Sequence, residues 1–269
     1  SHTPNRSDLA REPILQLPQM TTTMTSDKLT SENSHRRIRA ALIDMDGTLY
    51  DSMPGHARAW KRLMDEQGID CREEEFFLHE GATGAHIIDM MIRRQFGRPA
   101  TDDEKRELYA LKSRYFTEQP PVQPMEGARE LVEQLTARGI TTILVTGSGQ
   151  GSLLGRLDSD FPGAFPPERR VTSASVTHGK PHPEPFLRGL GLAGVSASQA
   201  IAIDNAPLGT RSGHDAGLIT VGVVTGPIPV EELERNGADI VYTSMPLCAA
   251  ALPALIDKIE ASGGEITKK

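Results

Sequence analysis

The chain has 269 residues, a net charge of −7 and two cysteines, Cys71 and Cys248. This length is enough for one large domain, or for a domain with a small accessory domain, and needs no disulfide to stabilise its core. Two cysteines are too few for a secreted disulfide scaffold, so we expect reduced thiols and a cytoplasmic location. The acidic charge, the 4% aromatic content and the lack of any apolar run near 20 residues argue against nucleic-acid and membrane partners. We expect a monomer.

The first 36 residues differ in composition from the rest of the chain. They are rich in Ser, Thr, Pro and Asn and show no hydrophobic period. Such segments cannot bury enough apolar surface to offset the entropy of ordering. Residues 1–36 are therefore predicted to be a disordered tail, or an end derived from processing or a tag, since the chain begins with Ser1.

From residue 38 onward, short apolar runs alternate with helical patterns. The apolar runs are Ile38–Asp44, Ile140–Val145, Ala200–Ile203, Ile219–Val224 and Ile240–Tyr242. Strands that alternate with helices favour a parallel sheet with helices on both faces. The sequence therefore predicts an α/β fold with a Rossmann-like parallel core.

Three of these predicted strands are followed by polar residues. Asp44 ends the first run, Thr146 follows the second and Asp204 follows the third. In open parallel sheets, ligands bind at the carboxyl ends of the strands. We therefore expect these three side chains to converge, although they are far apart in sequence.

Residues 52–124 do not alternate and have three successive helical patterns. These patterns cover Gly55–Gln67, Ala85–Phe96 and Thr101–Phe116, and the last begins with a capping box. A helical insert between the first two strands predicts a cap over the binding edge of the sheet. We assign residues 37–51 and 125–269 to the core domain and 52–124 to the cap domain.

The segment Asp44-Met45-Asp46-Gly47-Thr48-Leu49 carries two acids directly after a buried strand. Two close carboxylates repel each other and favour a cation between them, and oxygen ligands of this kind suit Mg²⁺. One carboxylate can then act as nucleophile and the other as general acid and base. Gly47 permits the tight turn that this arrangement needs. The alternative is a solvated turn with acids near a helix start.

Three further segments carry candidate residues, each with a structural alternative. Thr146-Gly147-Ser148-Gly149 can hold phosphate oxygens through a hydroxyl and backbone N–H groups, or can be a flexible turn. Lys180, in Gly179-Lys180-Pro181-His182-Pro183, can neutralise a transferring phosphoryl group, or can be a solvated loop lysine. Asp204-Asn205 can bind a metal, or can cap the helix that follows.

These four segments, in this order, resemble the motifs of the haloacid dehalogenase (HAD) superfamily. DMDGTL is similar to the first motif, Thr146 to the second, Lys180 to the third and Asp204-Asn205 to the fourth. The resemblance covers residues 37 to about 255. The helical insert, the run Asp51-Ser52-Met53-Pro54 and the segment GKPHPEPF are similar to the β-phosphoglucomutase-like branch.

The resemblance implies a role for each matching residue. Asp44 would attack phosphorus and form an aspartyl-phosphate, and Asp46 would protonate the leaving group and then activate water. Thr146 and the Gly147 amide would hold the phosphoryl oxygens, and Lys180 would bridge the phosphate and the nucleophile. The Mg²⁺ ion would be held by Asp44, the Asp46 carbonyl, Asp204 and Asn205. Phosphoryl transfer depends mainly on positioning and charge neutralisation, which fits these roles.

Two positions depart from the phosphosugar mutases of this branch. The fourth motif usually has two acids, whereas here the second is Asn205, which ligates Mg²⁺ without adding charge. Glu80 stands where the mutases have a basic residue on the cap loop, and an acid there would repel a bare phosphate. Asn205 could weaken Mg²⁺ binding or could suit a substrate that brings its own negative charge, and Glu80 would fit a metal, a metal-bound water or an amine-bearing substrate. We favour a small metal-complexed anion, and some branch members with this Glu and Asn resemble inorganic pyrophosphatases. Alternatively, Glu80 is simply the last residue of a helix.

The favoured function is thus a Mg²⁺-dependent phosphohydrolase that acts on pyrophosphate or another small phosphorylated metabolite. A phosphosugar mutase and a non-catalytic phosphate-binding homologue remain alternatives, whereas Asp46 argues against a dehalogenase. His56 stands where mutases have a histidine that helps to assemble the closed site, although a surface histidine is the simpler interpretation. The spacing of His86, His178 and His182 does not indicate a metal site.

Overall fold

The computed structural model describes residues 37–263, so the predicted tail at 1–36 lies outside the described residues. Strand β1 (Ala40–Ile43) is followed by four helices, α1 (Met53–Glu66), α2 (Glu75–Leu78), α3 (Gly84–Phe96) and α4 (Asp102–Thr117). The remaining strands and α-helices are α5 (Ala128–Ala137), β2 (Thr141–Val145), α6 (Gly151–Leu154), α7 (Leu157–Asp160), β3 (Arg170–Val171), α8 (Glu184–Ala193), β4 (Ala200–Asp204), α9 (Pro207–Asp215), β5 (Ile219–Val223), α10 (Val230–Arg235), β6 (Ile240–Tyr242) and α11 (Met245–Ala261).

The strands form one parallel sheet in the order β3-β2-β1-β4-β5-β6. Strand β1 lies at the centre, and its last residue, Ile43, is in register with Leu144 of β2 and Ile203 of β4. Strands aligned in this way end at the same level. The residues that follow them in sequence, including Asp44 and Asp204, therefore emerge side by side.

Helices cover both faces of the sheet. Phe186 and Leu190 of α8 pack with Leu42 on one face, whereas Leu131 of α5 and Leu252 of α11 share a cluster with Ile43 on the other. The four residues of β1 are fully buried, as expected for a central parallel strand. The predicted α/β fold with a Rossmann-like parallel sheet is confirmed.

The segment between β1 and β2 is helical, as the sequence indicated. Helix α1 has a proline in its first turn, and α4 begins at Thr101 with the predicted capping box. Helix α4 packs against both α1 and α3. The buried side chains of Trp60 and Met91 belong to the same hydrophobic cluster as Ile43, so the apolar core continues from the sheet into this helical segment.

The sequence patterns missed the last helix and the shortest strand. Helix α11 is apolar over most of its circumference and contains Pro253, so no clear amphipathic stripe marks it. Strand β3 has only two residues and pairs with β2 at the sheet edge. Neither element supplies a predicted site residue, so the strand ends that form the site were found without them.

Candidate active site

The ammonium of Lys180 joins the ends of the central strands. Its Nζ donates hydrogen bonds to Asp44 Oδ1 (2.8 Å), Asp204 Oδ2 (2.9 Å) and the carbonyl oxygen of Val145 (2.9 Å). Lys180 is only 2% exposed, so the alternative of a solvated loop lysine is wrong. The three strand ends therefore meet around one buried positive charge.

The carboxylates around Lys180 outnumber it. Burial, and after it the charge of Asp204, raises the pKa of Asp44 to about 8, although Lys180 opposes the shift. Burial and the charge of Asp44 also raise the pKa of Glu80 well above its usual range. Burial lowers the pKa of Lys180, but Asp204 and Asp44 outweigh burial and hold it above its ordinary value. Asp44, Asp204 and Glu80 thus form a buried carboxylate cluster in which burial and mutual repulsion oppose full ionisation.

The turn after β1 depends on a glycine. Gly47 has a φ of +79°, and a β-carbon there would lie 2.2 Å from Asn205 Nδ2. The Thr48 hydroxyl donates to Asn205 Oδ1 (2.8 Å), and the Thr225 hydroxyl donates to the Gly47 carbonyl (2.5 Å). This turn therefore places Asn205 in direct contact with the DMDGTL segment.

Glu80 reaches the sheet from the helical segment. Asn205 Nδ2 donates to both oxygens of the Glu80 carboxylate, at 3.0 Å and 3.1 Å. Helix α2 ends at Leu78, so the alternative of Glu80 as the last helical residue is wrong. An aspartate at position 205 would place a second carboxylate against Glu80. The Asn205 amide removes that repulsion and pairs with Glu80 instead.

The loop after β2 lies against the helical segment. The Thr146 hydroxyl accepts a hydrogen bond from the Ser148 amide (3.0 Å), which orders the start of the loop. A β-carbon on Gly147 would lie 2.2 Å from the carbonyl oxygen of Gly81, so the two backbones nearly touch. The Gly149 amide donates to the Tyr109 hydroxyl of α4 (3.0 Å).

Asp46 faces the helical segment and ends a chain of buried polar groups. Its Oδ1 lies 2.7 Å from His56 Nε2 and accepts a 2.7 Å hydrogen bond from the Ser52 hydroxyl. His56 Nδ1 lies 2.6 Å from Lys112 Nζ. His56 is 4% exposed, so the surface-histidine alternative is wrong. Asp46, His56 and Lys112 form a hydrogen-bonded path that crosses from the strand end into α4.

The groups on this path have opposed pKa shifts. Burial raises the pKa of Asp46, but His56 and Ser52 outweigh burial and hold it below its ordinary value. Burial and Lys112 lower the pKa of His56, and burial lowers the pKa of Lys112 to about 8. Near neutral pH these shifts favour an ionised Asp46 beside a neutral His56, and Lys112 is the group on the path that still holds a proton.

A cavity of about 50 Å³ lies between the helical segment and the loop after β2. Residues that line it include Asp46, His56, Trp60, His79, Glu80, Tyr109, Lys112, Thr146, Gly147 and Ser148. A water molecule needs roughly 10–15 Å³ by this measure, so the cavity has room for about four. The space suits a small polar ligand.

The structure brings together all the site residues proposed from the sequence. Asp44, Lys180, Asp204 and Asn205 lie at the strand ends, Thr146 and Gly147 on the adjacent loop, and Asp46, His56 and Glu80 beneath the helical segment. Sequence reasoning missed Ser52, Tyr109 and Lys112, which touch the same groups. Lys112 had one available signal, because it stands among the apolar positions of α4, where a cation is unusual.

Comparisons with known proteins agree with this fold. A family model described as haloacid dehalogenase-like hydrolase matches residues 38–217. The chain belongs to the haloacid dehalogenase-like hydrolase family, and its similarities place it in the β-phosphoglucomutase-like branch.

Relatives in this branch include phosphatases and mutases. Hexitol phosphatase A of Escherichia coli is 30% identical over 210 residues, which cover 78% of this chain and 92% of the relative. A β-phosphoglucomutase of Mycobacterium bovis is 27% identical over 241 residues, covering 78% of this chain and 90% of the relative. A solved structure from Bacteroides vulgatus, named as a proposed β-phosphoglucomutase, is 38% identical with a TM-score of 0.79, covering 86% of this chain and 95% of that one.

A search for membrane spans gives a negative result. Among residues 37–263, every helix is too short or too polar to cross a bilayer.

Proposed function

We propose that the protein is a Mg²⁺-dependent phosphohydrolase that works through an aspartyl-phosphate on Asp44, with inorganic pyrophosphate as the favoured substrate. The observation that carries the hydrolase assignment is the Lys180 bridge between Asp44 and Asp204 at the centre of a parallel sheet. A fixed ammonium 2.8 Å from the nucleophilic carboxylate can also contact a phosphoryl oxygen that approaches it.

The residues present fit Mg²⁺. Asp44, Asp204 and Glu80 form a buried carboxylate cluster in which burial and mutual repulsion raise the pKa values of Asp44 and Glu80, and a bound cation would relieve that repulsion. Asp44, Asp204, Asn205 and the Asp46 carbonyl would hold the ion through oxygen atoms, as Mg²⁺ prefers. Bound there, Mg²⁺ neutralises charge on the cluster and on the phosphoryl group.

The chain's own residues carry the chemical steps. Asp44 Oδ attacks phosphorus, the bond to the leaving oxygen breaks, and Asp46 delivers a proton to that oxygen; Lys112 supplies this proton to His56 Nδ1 as His56 Nε2 passes its own to Asp46. A water molecule then attacks the aspartyl-phosphate and gives its proton to Asp46, which restores free Asp44. Thr146, the Gly147 amide and Lys180 bind the phosphoryl oxygens throughout both steps.

The size of the cavity favours a small substrate. Its volume of about 50 Å³ has room for about four water molecules, so in this conformation a hexose or hexitol phosphate is excluded and even pyrophosphate requires the helical segment to move. Glu80 closes it beside Asn205 and would repel a bare phosphate group. It would instead attract a metal-complexed anion or a metal-bound water.

The acidity of Asp46 also favours pyrophosphate. His56 and Ser52 hold its pKa below the ordinary value, so Asp46 is mostly ionised and seldom has a proton to donate. A phosphate leaving group is stable as an anion near neutral pH, whereas a sugar alkoxide is not. Pyrophosphate therefore needs less help from Asp46 than a sugar phosphate does.

We further propose that residues 52–124 act as a cap domain on a core formed by residues 37–51 and 125–269. Gly81 and Gly147 are in contact, and Asn205 is bonded to Glu80, so a substrate can enter only if these contacts separate. The same contacts exclude bulk water once the cap has closed.

The experiment is a phosphate-release screen with Mg²⁺ on pyrophosphate, sugar phosphates and sugar-alcohol phosphates, with Asp44→Asn as control. We expect the highest kcat/KM for pyrophosphate and no turnover by Asp44→Asn. Glu80→Ala should lower pyrophosphate turnover by at least about tenfold, equivalent to about 1.4 kcal/mol on the barrier. The double variant Glu80→Gln/Asn205→Asp moves the negative charge from the helical segment to the sheet. It should lose the preference for pyrophosphate. Unchanged pyrophosphate turnover in Glu80→Ala would refute the specificity role.

A phosphosugar mutase is the second candidate, favoured by the two β-phosphoglucomutase-like relatives. A mutase returns the phosphoryl group to a sugar instead of to water. Conversion of β-glucose 1-phosphate to glucose 6-phosphate without phosphate release would support it over the hydrolase. Catalysis in neither assay by the wild-type protein would leave the non-catalytic phosphate-binding homologue.

A further inference from the structure

The loop that carries Lys180 has a second cluster of polar side chains on its outer surface, formed by His178, His182 and Glu184. One ligand atom from each of the three residues lies within 4.8 Å of the others. The two imidazole rings stack with centroids 4.8 Å apart and planes 25° from parallel. The spacing in sequence gave no sign of a metal site, but the turn of this loop brings the three side chains together.

Glu184 is a fixed anion within this cluster. The amides of Thr177 and His178 donate to its two carboxylate oxygens at 3.0 Å and 2.7 Å, and Arg188 Nε donates at 3.0 Å. These hydrogen bonds, led by that from Thr177, lower the pKa of Glu184 to about 2. The carboxylate is therefore charged and oriented before any cation arrives.

His182 is also held by its surroundings. Its Nδ1 accepts a hydrogen bond from the Glu184 amide (3.0 Å), its own amide donates to the Gly179 carbonyl (3.1 Å), and its carbonyl accepts from the Ser212 hydroxyl (2.7 Å). This leaves the Nε2 atom of His182 as its ligand atom. The backbone around the cluster is thus fixed, and only the exposed histidine rings need to adjust.

One separation in the cluster already suits a tetrahedral transition-metal ion, and rotation of the exposed histidine rings would bring in the remaining ligand atoms, which lie within 4.8 Å of one another. His178 Nδ1 lies 3.3 Å from Glu184 Oε2. With metal–ligand bonds of about 2.1 Å, tetrahedral ligands lie about 3.4 Å apart. Imidazole nitrogens favour Zn²⁺, Ni²⁺ and Cu²⁺ over Mg²⁺, which prefers oxygen ligands.

We propose that His178, His182 and Glu184 form a binding site for a transition-metal ion such as Zn²⁺ on the outer surface of the Lys180 loop. The site differs in ligand chemistry from the carboxylate cluster at the strand ends and does not depend on the substrate proposed above. Its ligands flank Lys180 and Pro181 in sequence, so a bound ion links the two ends of the segment that presents Lys180 to Asp44. The ion stabilises that segment in the folded protein.

Isothermal titration with Zn²⁺, in the presence of saturating Mg²⁺, tests the proposal on the full chain. His2 and His35 lie outside the described residues and are replaced by alanine in every protein tested, so that they do not contribute binding. The variants are His178→Ala and His182→Ala, and His86→Ala is the matched control because it removes an exposed histidine from α3. Glu184 is left in place because its carboxylate also holds the loop backbone.

We expect one Zn²⁺ per chain, with affinity lowered by at least roughly tenfold in His178→Ala and in His182→Ala and unchanged in His86→Ala. Zn²⁺ should also raise the unfolding temperature of the parent protein but not that of the two variants. Equal Zn²⁺ affinity in the parent and in both variants, or the absence of a one-to-one binding step, would overturn the proposal. Either result leaves the phosphohydrolase proposal untouched, since that depends on phosphate release.

Discussion

The site has two walls of different construction. On the sheet wall, Asp44, Lys180 and Asp204 follow strand ends and bond directly to one another. On the helical wall, His56 and Lys112 come from the helices α1 and α4 and meet only because those helices pack together. The sheet wall holds charge in a fixed place, whereas the helical wall adjusts proton affinity and available space.

This difference predicts how each wall responds to substitution. A change on the sheet wall leaves an unpaired buried charge, which affects both folding and activity. A change on the helical wall alters the pKa values and contacts of groups that remain paired, so its effects are smaller and more specific. Four substitutions test this contrast.

The largest effect is expected for Lys180→Met. Its loss leaves Asp44 and Asp204 facing each other without a counter-charge, which should destabilise the fold by about 3–5 kcal/mol and lower phosphate release by roughly 10³-fold. Urea unfolding and a phosphate assay measure the two effects. Lys61→Met is the control, because Lys61 makes an exposed bond to Asp65 within α1. Wild-type stability of the Lys180→Met variant would contradict the expected difference between the two walls.

Lys112→Met should have an intermediate effect. Lys112 lowers the pKa values of His56 and Asp46, so removing its charge should raise both and move the acidic limb of the kcat–pH profile to higher pH. Turnover at neutral pH should fall by roughly tenfold. Lys112→Arg, which keeps the charge, should retain the wild-type profile. If Lys112→Met lowers turnover without moving the profile, its role is one of packing alone.

Glu80→Gln should change the pH dependence of stability in the metal-free protein. The pKa of Glu80 is higher in the folded state than in the unfolded state, so the unfolded chain loses this proton first as pH rises. Stability in the wild type should therefore fall as pH rises above the ordinary glutamate range. Thermal unfolding from pH 5 to pH 8 in a chelator should give Glu80→Gln a growing advantage. A constant difference across that range would show that Glu80 is already ionised in the folded protein at pH 5, so that its pKa is not raised.

Tyr109→Phe should have the smallest effect. The substitution removes only the hydroxyl that accepts the Gly149 amide, and such a bond contributes about 0.5–1.5 kcal/mol. We expect a several-fold rise in KM for phosphate substrates with little change in global stability, measured by steady-state kinetics and urea unfolding. Tyr115→Phe is the matched control on the same helix, since its hydroxyl bonds to Glu66 away from the site. Equal kinetics in both variants would show that the Tyr109 hydroxyl does not help to position the loop after β2 for phosphate binding.

The sheet wall could be predicted because its information is local. A buried run followed by Asp44, Thr146 or Asp204 already identifies a strand end, and parallel strands end together. The helical wall could not be predicted in the same way. Lys112 and Tyr109 reach the site only through the packing of α4 on α1 and α3, and that packing is not written in any short motif. Glu80 was found because the family resemblance marked its position, and its pairing with Asn205 required the coordinates.

The close contact between the Gly147 backbone and the carbonyl oxygen of Gly81 depends on the absence of a β-carbon at position 147. A β-carbon added at position 147 would collide with the carbonyl oxygen of Gly81, so the two backbones would have to move apart. The loop after β2 and the helical segment would then close less tightly, and water could reach the proposed aspartyl-phosphate while the leaving group was still bound. Access of the surrounding water, and no longer closure of the site, would then determine when hydrolysis occurs.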